Sequence, residues 1–310
     1  MIQIVECVPN FSEGRRPEIR DQIVAAMAQV AGVRVLQVQS DPDHNRSVVT
    51  LIGPPESVVE AAFRGIAQAA ALINMNRHQG AHPRIGATDV VPLIPLRGVD
   101  MSDCVALARR LGERVGTELG IPVYLYEAAA ARPERRDLAE IRRGEYERLK
   151  EEIATHPDRF PDFGPAVLGP AGATVIGARQ PLIAWNVYLN SSDLRTAKAI
   201  ARAVRYSGGG LRFVKAMGLL VRGQAQVSMN LTDYHQTPIH RVMELIRREA
   251  AYYGLSVTHT EIVGLVPVEA LVQAAQFYLQ LSDFSPDQIL ENWLWENGSI
   301  GGEAPDADPD

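Results

Sequence analysis

The apolar residues of this chain fall into two successive series of segments, and both series have the same order of predicted elements. In the second half, segments with alternating apolar residues are interleaved with segments whose apolar residues recur every three or four positions. These patterns are typical of strands and of amphipathic helices, respectively. They predict strands at 182–189, 213–221, 226–231 and 257–263 and helices at 194–206 and 239–253.

The first half repeats this strand, helix, strand, strand, helix, strand order and adds a helix and a strand. It has predicted strands at 2–8, 33–38, 46–52, 90–96 and 123–126, and helices at 17–30 (capped by Ser12), 56–75 and 102–119. The duplication predicts an α/β (α+β) fold of two ferredoxin-like β-α-β-β-α-β subdomains with a ligand cleft between them. We place the subdomains at 1–178 and 179–302, and expect the acidic tail 303–310 to be disordered.

Composition and charge limit the class of partner. The formal net charge of -6 argues against nucleic acid or an anionic membrane surface. We expect neither a signal peptide nor a membrane anchor, because the start lacks basic residues and no apolar run is long enough to span a bilayer. Cys7 and Cys104 have no metal-ligand spacing, which fits a reducing cytoplasm. The expected partner is a small molecule.

Segment 78–92 has the composition of a functional loop, because it combines two histidines, an arginine and an aspartate with glycines and prolines. Pro83 favours an extended conformation for His82, so that its ring is displayed. An imidazole can take and return a proton at neutral pH. His82 is therefore either a proton shuttle or a surface or structural histidine. Gly80 and Pro83 make a helical zinc motif improbable, and no metal is expected.

Two segments between the halves have contrasting compositions. The part at 132–152 is rich in arginine and glutamate, which is typical of a solvated helix face. The part at 163–173 has few charges and many glycines and prolines, which suits either a linker or a loop that closes around a ligand.

Eight blocks of the sequence together match one known family. They are Glu6 to Gly14, Asn45 to Val48, His82 to Val90, Pro122 to Tyr126, Ile141 to Tyr146, Asp162 to Pro165, Gly172 to Arg179 and Val263 to Pro267. With these blocks in family order over nearly its whole length, the chain resembles the glutamate formimidoyltransferases. It also resembles the transferase domain of the formimidoyltransferase-cyclodeaminases.

The resemblance implies an enzyme that transfers a formimino group from N-formimino-L-glutamate to tetrahydrofolate in histidine degradation. It implies a homodimer, tetrahydrofolate as co-substrate and no metal. By position, the family's catalytic histidine corresponds to His82. Its folate-binding loop corresponds to Gly164, Pro165, Ala166, Val167, Leu168, Gly169, Pro170, Ala171 and Gly172. Formyl transfer between formylglutamate and folate, or folate binding without catalysis, remain as alternatives.

Three further residues are candidates for supporting roles at such a site. Both substrates carry carboxylates, which pair well with guanidinium groups. Arg84 is expected to anchor one of them, because alternation along an extended segment places it on the same face as His82. Asp89 is expected either to orient the imidazole or to cap a turn. Asn10, at the end of the first strand, is expected to line the ligand cleft.

Overall fold

Two β-sheets organise the chain, whose computed structural model describes residues 2–292. Contacts divide the chain into two units between Pro181 and Leu182. The first unit contains strands β1 (Ile4–Cys7), β2 (Asn10–Phe11), β3 (Arg34–Asp41), β4 (Arg46–Gly53), β5 (Thr88–Arg97), β6 (Val123–Glu127) and β7 (Thr174–Ala178). Its α-helices are α1 (Pro17–Ala28), α2 (Pro55–Leu72), α3 (Met101–Glu118), α4 (Leu138–Ile141) and α5 (Glu145–Glu152).

The sheet of the first unit is mixed. Strands β1 and β2 both lie between β4 and β5, and β3 pairs with the other edge of β4, all in antiparallel orientation. Beyond β5, the sheet continues through β7 to β6 in parallel orientation. The start of β5 is thus central in the sheet, and residues 88–94 are buried. Residues adjacent to the start of β5 are therefore attached to a rigid part of the sheet.

Helix α1 begins at Pro17, which is suited to a first helical position because it has no amide hydrogen to satisfy. The capping role expected of Ser12 is wrong. The carboxylate of Glu13 instead accepts hydrogen bonds from the amides of Arg15 and Arg16, both at 2.9 Å. The Ser12 hydroxyl donates to the carbonyl oxygen of Gly86 at 2.7 Å. Ser12 therefore ties the end of β2 to the segment before β5.

The second unit contains strands β8 (Ile183–Leu189), β9 (Val214–Val221), β10 (Gln224–Leu231) and β11 (Val257–Val263) and helices α6 (Leu194–Val204), α7 (Ile239–Tyr252) and α8 (Val268–Leu279). Its strand order is β11-β8-β10-β9, and every pair is antiparallel. Strand β10 thus lies between β8 and β9, the strands that α6 connects, which is a split β-α-β arrangement. Alternate residues of β8, such as Trp185 and Val187, form a core with α6 and α7.

The predicted α+β class with two subdomains is confirmed, and the strands and helices expected in both halves are found within a few residues of their predicted ends. Strands β2 and β7 and helix α8 were not predicted. The cleft between the units stays a prediction, and the tail 303–310 lies outside the described residues. None of the helices described in residues 2–292 has the length and apolar character needed to cross a bilayer.

Candidate active site

The loop that carries His82 connects α2 to β5 and is fastened to the turn between β3 and β4. The Ala81 amide donates to the Asp43 carbonyl at 3.2 Å, and the Asn45 side-chain amide donates to the Gln79 carbonyl at 2.9 Å. A Cβ atom on Gly80 would lie 2.2 Å from the carbonyl oxygen of His44, so the approach requires glycine. The loop and the β3–β4 turn thus form one structural unit.

The ring of His82 is partly buried and contacts Arg46, the first residue of β4. The Nδ1 atom lies 2.7 Å from the carbonyl oxygen of Pro83. Arg46 Nη1 lies 2.5 Å from both ring nitrogens, Nδ1 and Nε2. The ring of His44 meets His82 edge to face at a centroid distance of 5.9 Å.

The surroundings of His82 favour its neutral form. Burial lowers the pKa of His82 to about 4, and the positive charges of Arg46 and Arg142 act in the same direction. The hydrogen bond to Pro83 and the charge of Asp89 oppose this effect without overcoming it. At neutral pH the imidazole is therefore unprotonated and able to accept a proton.

Asp89, the second residue of β5, is buried and holds the end of the His82 loop. Its Oδ1 atom accepts a hydrogen bond from the Ile85 amide at 3.0 Å. Its Oδ2 atom accepts one from Arg142 and lies 3.7 Å from Arg46 Nη1. Asp89 thus bonds to the main chain at Ile85 and to the guanidinium of Arg142, as expected of a residue that holds a turn.

Asn10 orients Arg46. Its side-chain amide donates to the Val8 carbonyl at 2.7 Å, which leaves its oxygen facing the guanidinium. That oxygen accepts from Arg46 Nε at 3.0 Å and also from Nη2. Asn10 is therefore connected to His82 through one intervening side chain.

The guanidinium of Arg84 is hydrogen bonded to two carboxylates of α5. Its Nη1 atom donates to Glu145 at 2.7 Å and to Glu147 at 2.8 Å, while Nη2 donates to Glu147 at 2.7 Å. Its Nε atom is 3.3 Å from His78 Nδ1. The guanidinium of Arg84 is thus already bonded to carboxylates of the protein. Its role as the anchor of a substrate carboxylate stays a prediction that this geometry does not support.

The glycine-rich loop at 164–172 is paired with the His82 loop through main-chain hydrogen bonds. The Ala87 amide donates to the Ala171 carbonyl at 2.7 Å, and the Ala173 amide donates to the Ile85 carbonyl at 3.0 Å. Gly172 has φ +72, and a Cβ atom there would lie 2.3 Å from the carbonyl oxygen of Ile85. Glycine thus permits the close approach of the two loops. Val167 is 63% exposed and presents an apolar side chain to solvent.

The structure brings His82, Asn10 and Asp89 together and adds two arginines that sequence reasoning did not assign to the site. Arg46 and Arg142 both lie in matching sequence blocks, so position in those blocks was the available signal. One small cavity is lined by Phe11, Ser12, His44, Asn45, Arg46, His78, His82, Arg84 and Asp89. Within residues 2–292, no group of three histidine, cysteine or acidic side chains has the arrangement of a metal site.

Comparison with known proteins identifies the family to which these residues belong. A model of the N-terminal subdomain of the formiminotransferase domain matches residues 4–179, and a model of the formiminotransferase domain matches residues 184–290. The chain belongs to the formiminotransferase family.

Relatives within the formiminotransferase family are similar over most of this chain. It is 52% identical over 294 residues to a glutamate formimidoyltransferase of Thermoplasma acidophilum, covering 94% of this chain and 97% of that protein. It is 44% identical over 298 residues to a glutamate formimidoyltransferase of Streptococcus pyogenes, covering 95% and 99%. A formimidoyltransferase-cyclodeaminase of Mus musculus is 47% identical over 287 residues, which is 90% of this chain and 53% of that protein.

Proposed function

We propose that this chain is a glutamate formimidoyltransferase. It moves the formimino group from N-formimino-L-glutamate to tetrahydrofolate and gives 5-formimidoyltetrahydrofolate and L-glutamate. The similarity to the Thermoplasma and Streptococcus enzymes over nearly the full length of each supports this reaction. Tetrahydrofolate acts as co-substrate, and the reaction belongs to histidine degradation and one-carbon metabolism.

His82 is the proposed general acid and base. In the transfer, a bond forms between N5 of the folate and the formimino carbon, and the bond from that carbon to the glutamate nitrogen breaks. N5 loses one proton and the departing nitrogen gains one, so an imidazole that takes and returns a single proton balances the reaction. The neutral state of His82 supports the first of these transfers.

The loop at 164–172 is the proposed folate-binding segment. The observation that carries the proposal is its main-chain pairing with the His82 loop, through Ala171 to Ala87 and Ala173 to Ile85. A ligand that contacts the loop is thereby held near the imidazole, because the two segments share hydrogen bonds. Restraining two substrates in this way contributes to rate through effective concentration.

Arg84, Asp89 and Asn10 are the proposed supporting residues. Asp89 fixes the end of the His82 loop through the Ile85 amide. Asn10 orients the Arg46 guanidinium beside the imidazole. Arg84 holds the loop against α5 through Glu145 and Glu147. Each of these three residues positions other groups of the protein. Because the guanidinium of Arg84 is already paired with Glu145 and Glu147, we favour Arg46 as the residue that receives a substrate carboxylate.

We further propose that the enzyme works in the cytoplasm as a homodimer, with subdomains at 1–178 and 179–302. The buried, unpaired thiols of Cys7 and Cys104 are in keeping with a reducing compartment. Light scattering of the purified chain tests the dimer. A mass equal to one chain at micromolar concentration would contradict it.

A spectrophotometric assay tests the reaction. The protein is mixed with tetrahydrofolate and either formiminoglutamate or formylglutamate, and formation of the folate product is followed. We expect turnover with formiminoglutamate and its loss in the His82→Gln variant. Turnover with formylglutamate alone would assign formyl transfer instead, and binding of tetrahydrofolate without turnover of either donor would indicate a folate-binding protein.

A further inference from the structure

His78, the other histidine of the His82 loop, has a different partner at each of its ring nitrogens. Its Nδ1 atom lies 3.3 Å from Nε of Arg84, and its Nε2 atom lies 3.0 Å from the carbonyl oxygen of Asn45. A guanidinium can only donate a hydrogen bond, and a carbonyl oxygen can only accept one. Nδ1 therefore accepts from Arg84, while Nε2 carries the ring hydrogen and donates it to Asn45.

The surroundings of His78 favour this neutral form of the ring. Burial lowers the pKa of His78, and the hydrogen bond to Asn45 opposes that effect without overcoming it. The charges of Arg84 and Arg15 lower the pKa further, and the charge of Glu13 raises it. A second ring hydrogen, on Nδ1, would face the N–H group of Arg84. His78 is thus poorly suited to exchange a proton with a substrate.

Asn45, which accepts the hydrogen bond from His78, has an unusual backbone conformation. Its φ of +50 lies in the left-handed region, which residues other than glycine seldom adopt. The Asn45 side chain is buried, with Oδ1 accepting from the Gly14 amide at 3.0 Å and Nδ2 donating to the Gln79 carbonyl at 2.9 Å. A conformation of this kind persists only where the surrounding structure holds it.

The carbonyl group that His78 holds belongs to the same peptide unit as the amide nitrogen of Arg46. Because a peptide unit is planar, a bond to its oxygen also fixes the main chain from which the Arg46 side chain extends. A Cβ atom on Gly14 would lie 2.5 Å from the Arg46 nitrogen, so this peptide unit is closely packed as well. The Arg46 guanidinium contacts the ring of His82. His78 is therefore connected to His82 through the main chain at the start of β4.

On its other side, His78 is bonded to a guanidinium that is itself fixed. Arg84 is buried, and its Nη atoms pair with Glu145 and Glu147 of α5, both at 2.7 Å. The ring of His78 thus connects a residue anchored on a helix to the turn that leads into β4. Removal of the ring would leave both partners of His78 without a hydrogen bond that they have in the protein.

We propose that His78 is a positioning residue of the transfer reaction, which holds the peptide unit at the start of β4 and so fixes Arg46 beside His82. The inference rests on the proposed function, in which His82 is the acid and base. It assigns different roles to the two histidines of the loop. His82 exchanges the proton, and His78 sets the position of the charged group next to it.

Two amide variants separate the two bonds of His78. The side-chain nitrogen of a glutamine can take the place of Nε2, so His78→Gln retains the donor to Asn45. The side-chain oxygen of an asparagine can take the place of Nδ1, so His78→Asn retains only the acceptor for Arg84. We expect His78→Asn to lower kcat about 10-fold or more, with KM for tetrahydrofolate little changed. His78→Gln should recover most of this loss.

His156 provides the matched controls. Its ring is exposed and bonds to Thr155, outside the contacts of the His82 loop. His156→Asn and His156→Gln should therefore both behave as wild type. Circular dichroism and urea unfolding establish that each variant compared is folded.

NMR of the ring nitrogens gives a measurement that needs no turnover. At neutral pH, His78 of wild type should carry its hydrogen on Nε2, with the signals assigned through His78→Gln and His82→Gln. The ring signals of His82 should shift in His78→Asn and stay close to those of wild type in His78→Gln. These results in a protein that turns over neither donor would support the position that His78 imposes and overturn the proposed reaction alone.

Equal losses of kcat in His78→Gln and His78→Asn would overturn the proposal, because the donor to Asn45 would then not be the group that matters. A ring hydrogen on Nδ1 of His78 would overturn it as well. So would a folded His78→Asn protein with the kcat and the His82 signals of wild type. Should His78→Asn not fold, the wild-type ring decides, since a hydrogen on Nε2 supports the proposal and one on Nδ1 excludes it.

Discussion

Arg142 donates a hydrogen bond to the buried carboxylate of Asp89 across 53 residues of sequence. The pair connects the segment after α4 to the start of β5. Both side chains are largely removed from solvent, at 13% and 3% exposure. Loss of one partner would leave the other as a buried charge with fewer compensating bonds, which is costly.

We therefore expect Arg142→Met to lower the free energy of unfolding by about 3 kcal/mol. The neighbouring Arg143→Met is the matched control, because Arg143 forms an exposed pair with Glu140, and its loss should cost about 1 kcal/mol or less. Urea unfolding measures both. Equal effects at 142 and 143 would contradict the buried-pair interpretation.

Removal of the imidazole tests the proton transfer. His82→Ala should reduce kcat by about 10²–10⁴-fold, which is the usual contribution of a positioned acid or base. Unfolding in urea should be little changed, because His82 is partly exposed and its ring is at the edge of the loop. Turnover close to that of wild type in a folded His82→Ala protein would remove His82 from the mechanism.

The pH dependence of kcat/KM follows from the state of His82 in the free enzyme. A base must be unprotonated to act, so activity is present above its pKa and lost as the pH falls through it. With the pKa of His82 lowered to about 4, we expect no decline of kcat/KM near pH 6.5. An acidic limb with a midpoint between about 6 and 7 that is absent from His82→Gln would show that the pKa is not lowered.

The sequence predicts the elements of the fold better than it predicts the contacts of the site. Strands and helices depend on the local spacing of apolar residues, so the sequence pattern was sufficient to predict β5 and α2. The bond from Arg46 to His82 spans 36 residues and that from Arg142 to Asp89 spans 53. Such pairs depend on which chain segments meet in three dimensions, and local periodicity carries no information about that.

The charged segment at 132–152 illustrates the same limit. Its arginines and glutamates predict a solvated helix face, but Arg135 is 3% exposed, and Tyr146 and Leu149 are buried. Glu145 and Glu147 receive Arg84 from the His82 loop. Charge content alone does not distinguish a residue facing water from one facing an opposite charge elsewhere in the chain.

The ion pair between Arg84 and Glu147 should make stability depend on pH in the acid range. Hydrogen bonding and attraction to Arg84 lower the pKa of Glu147 below its ordinary value of 4.5. Its contribution is therefore present above the ordinary pKa and lost as the pH falls through the lowered one. Because the Glu147 side chain is 63% exposed, we expect about 1 kcal/mol or less.

Urea unfolding of Glu147→Gln and wild type measures this contribution. The two proteins should differ at pH 7 and converge as the pH falls through the lowered pKa of Glu147. Glu151→Gln, an exposed position on the same helix, is the control and should match wild type throughout. A difference for Glu147→Gln that does not change with pH would exclude the charge as its cause.

The approach of Gly172 to Ile85 gives the sharpest test of how the glycine-rich loop is held. Gly172→Ala should lower the free energy of unfolding by about 2 kcal/mol or more, because its φ of +72 is unfavourable for alanine. In addition, the new Cβ would lie 2.3 Å from the Ile85 carbonyl oxygen. The loop must then move away from the His82 segment, so KM for tetrahydrofolate should rise.

Two other glycines distinguish the effect of the backbone conformation from the effect of the contact with Ile85. Gly120 has φ +63 with open space around it, so Gly120→Ala should show the cost of the backbone conformation alone, about 1–2 kcal/mol, with KM unchanged. Gly169 lies in the same loop as Gly172, but a Cβ there would meet no atom within 4 Å. Gly169→Ala should leave stability close to that of wild type. If Gly172→Ala and Gly120→Ala have equal effects on stability and on KM, then the contact with Ile85 does not position the loop.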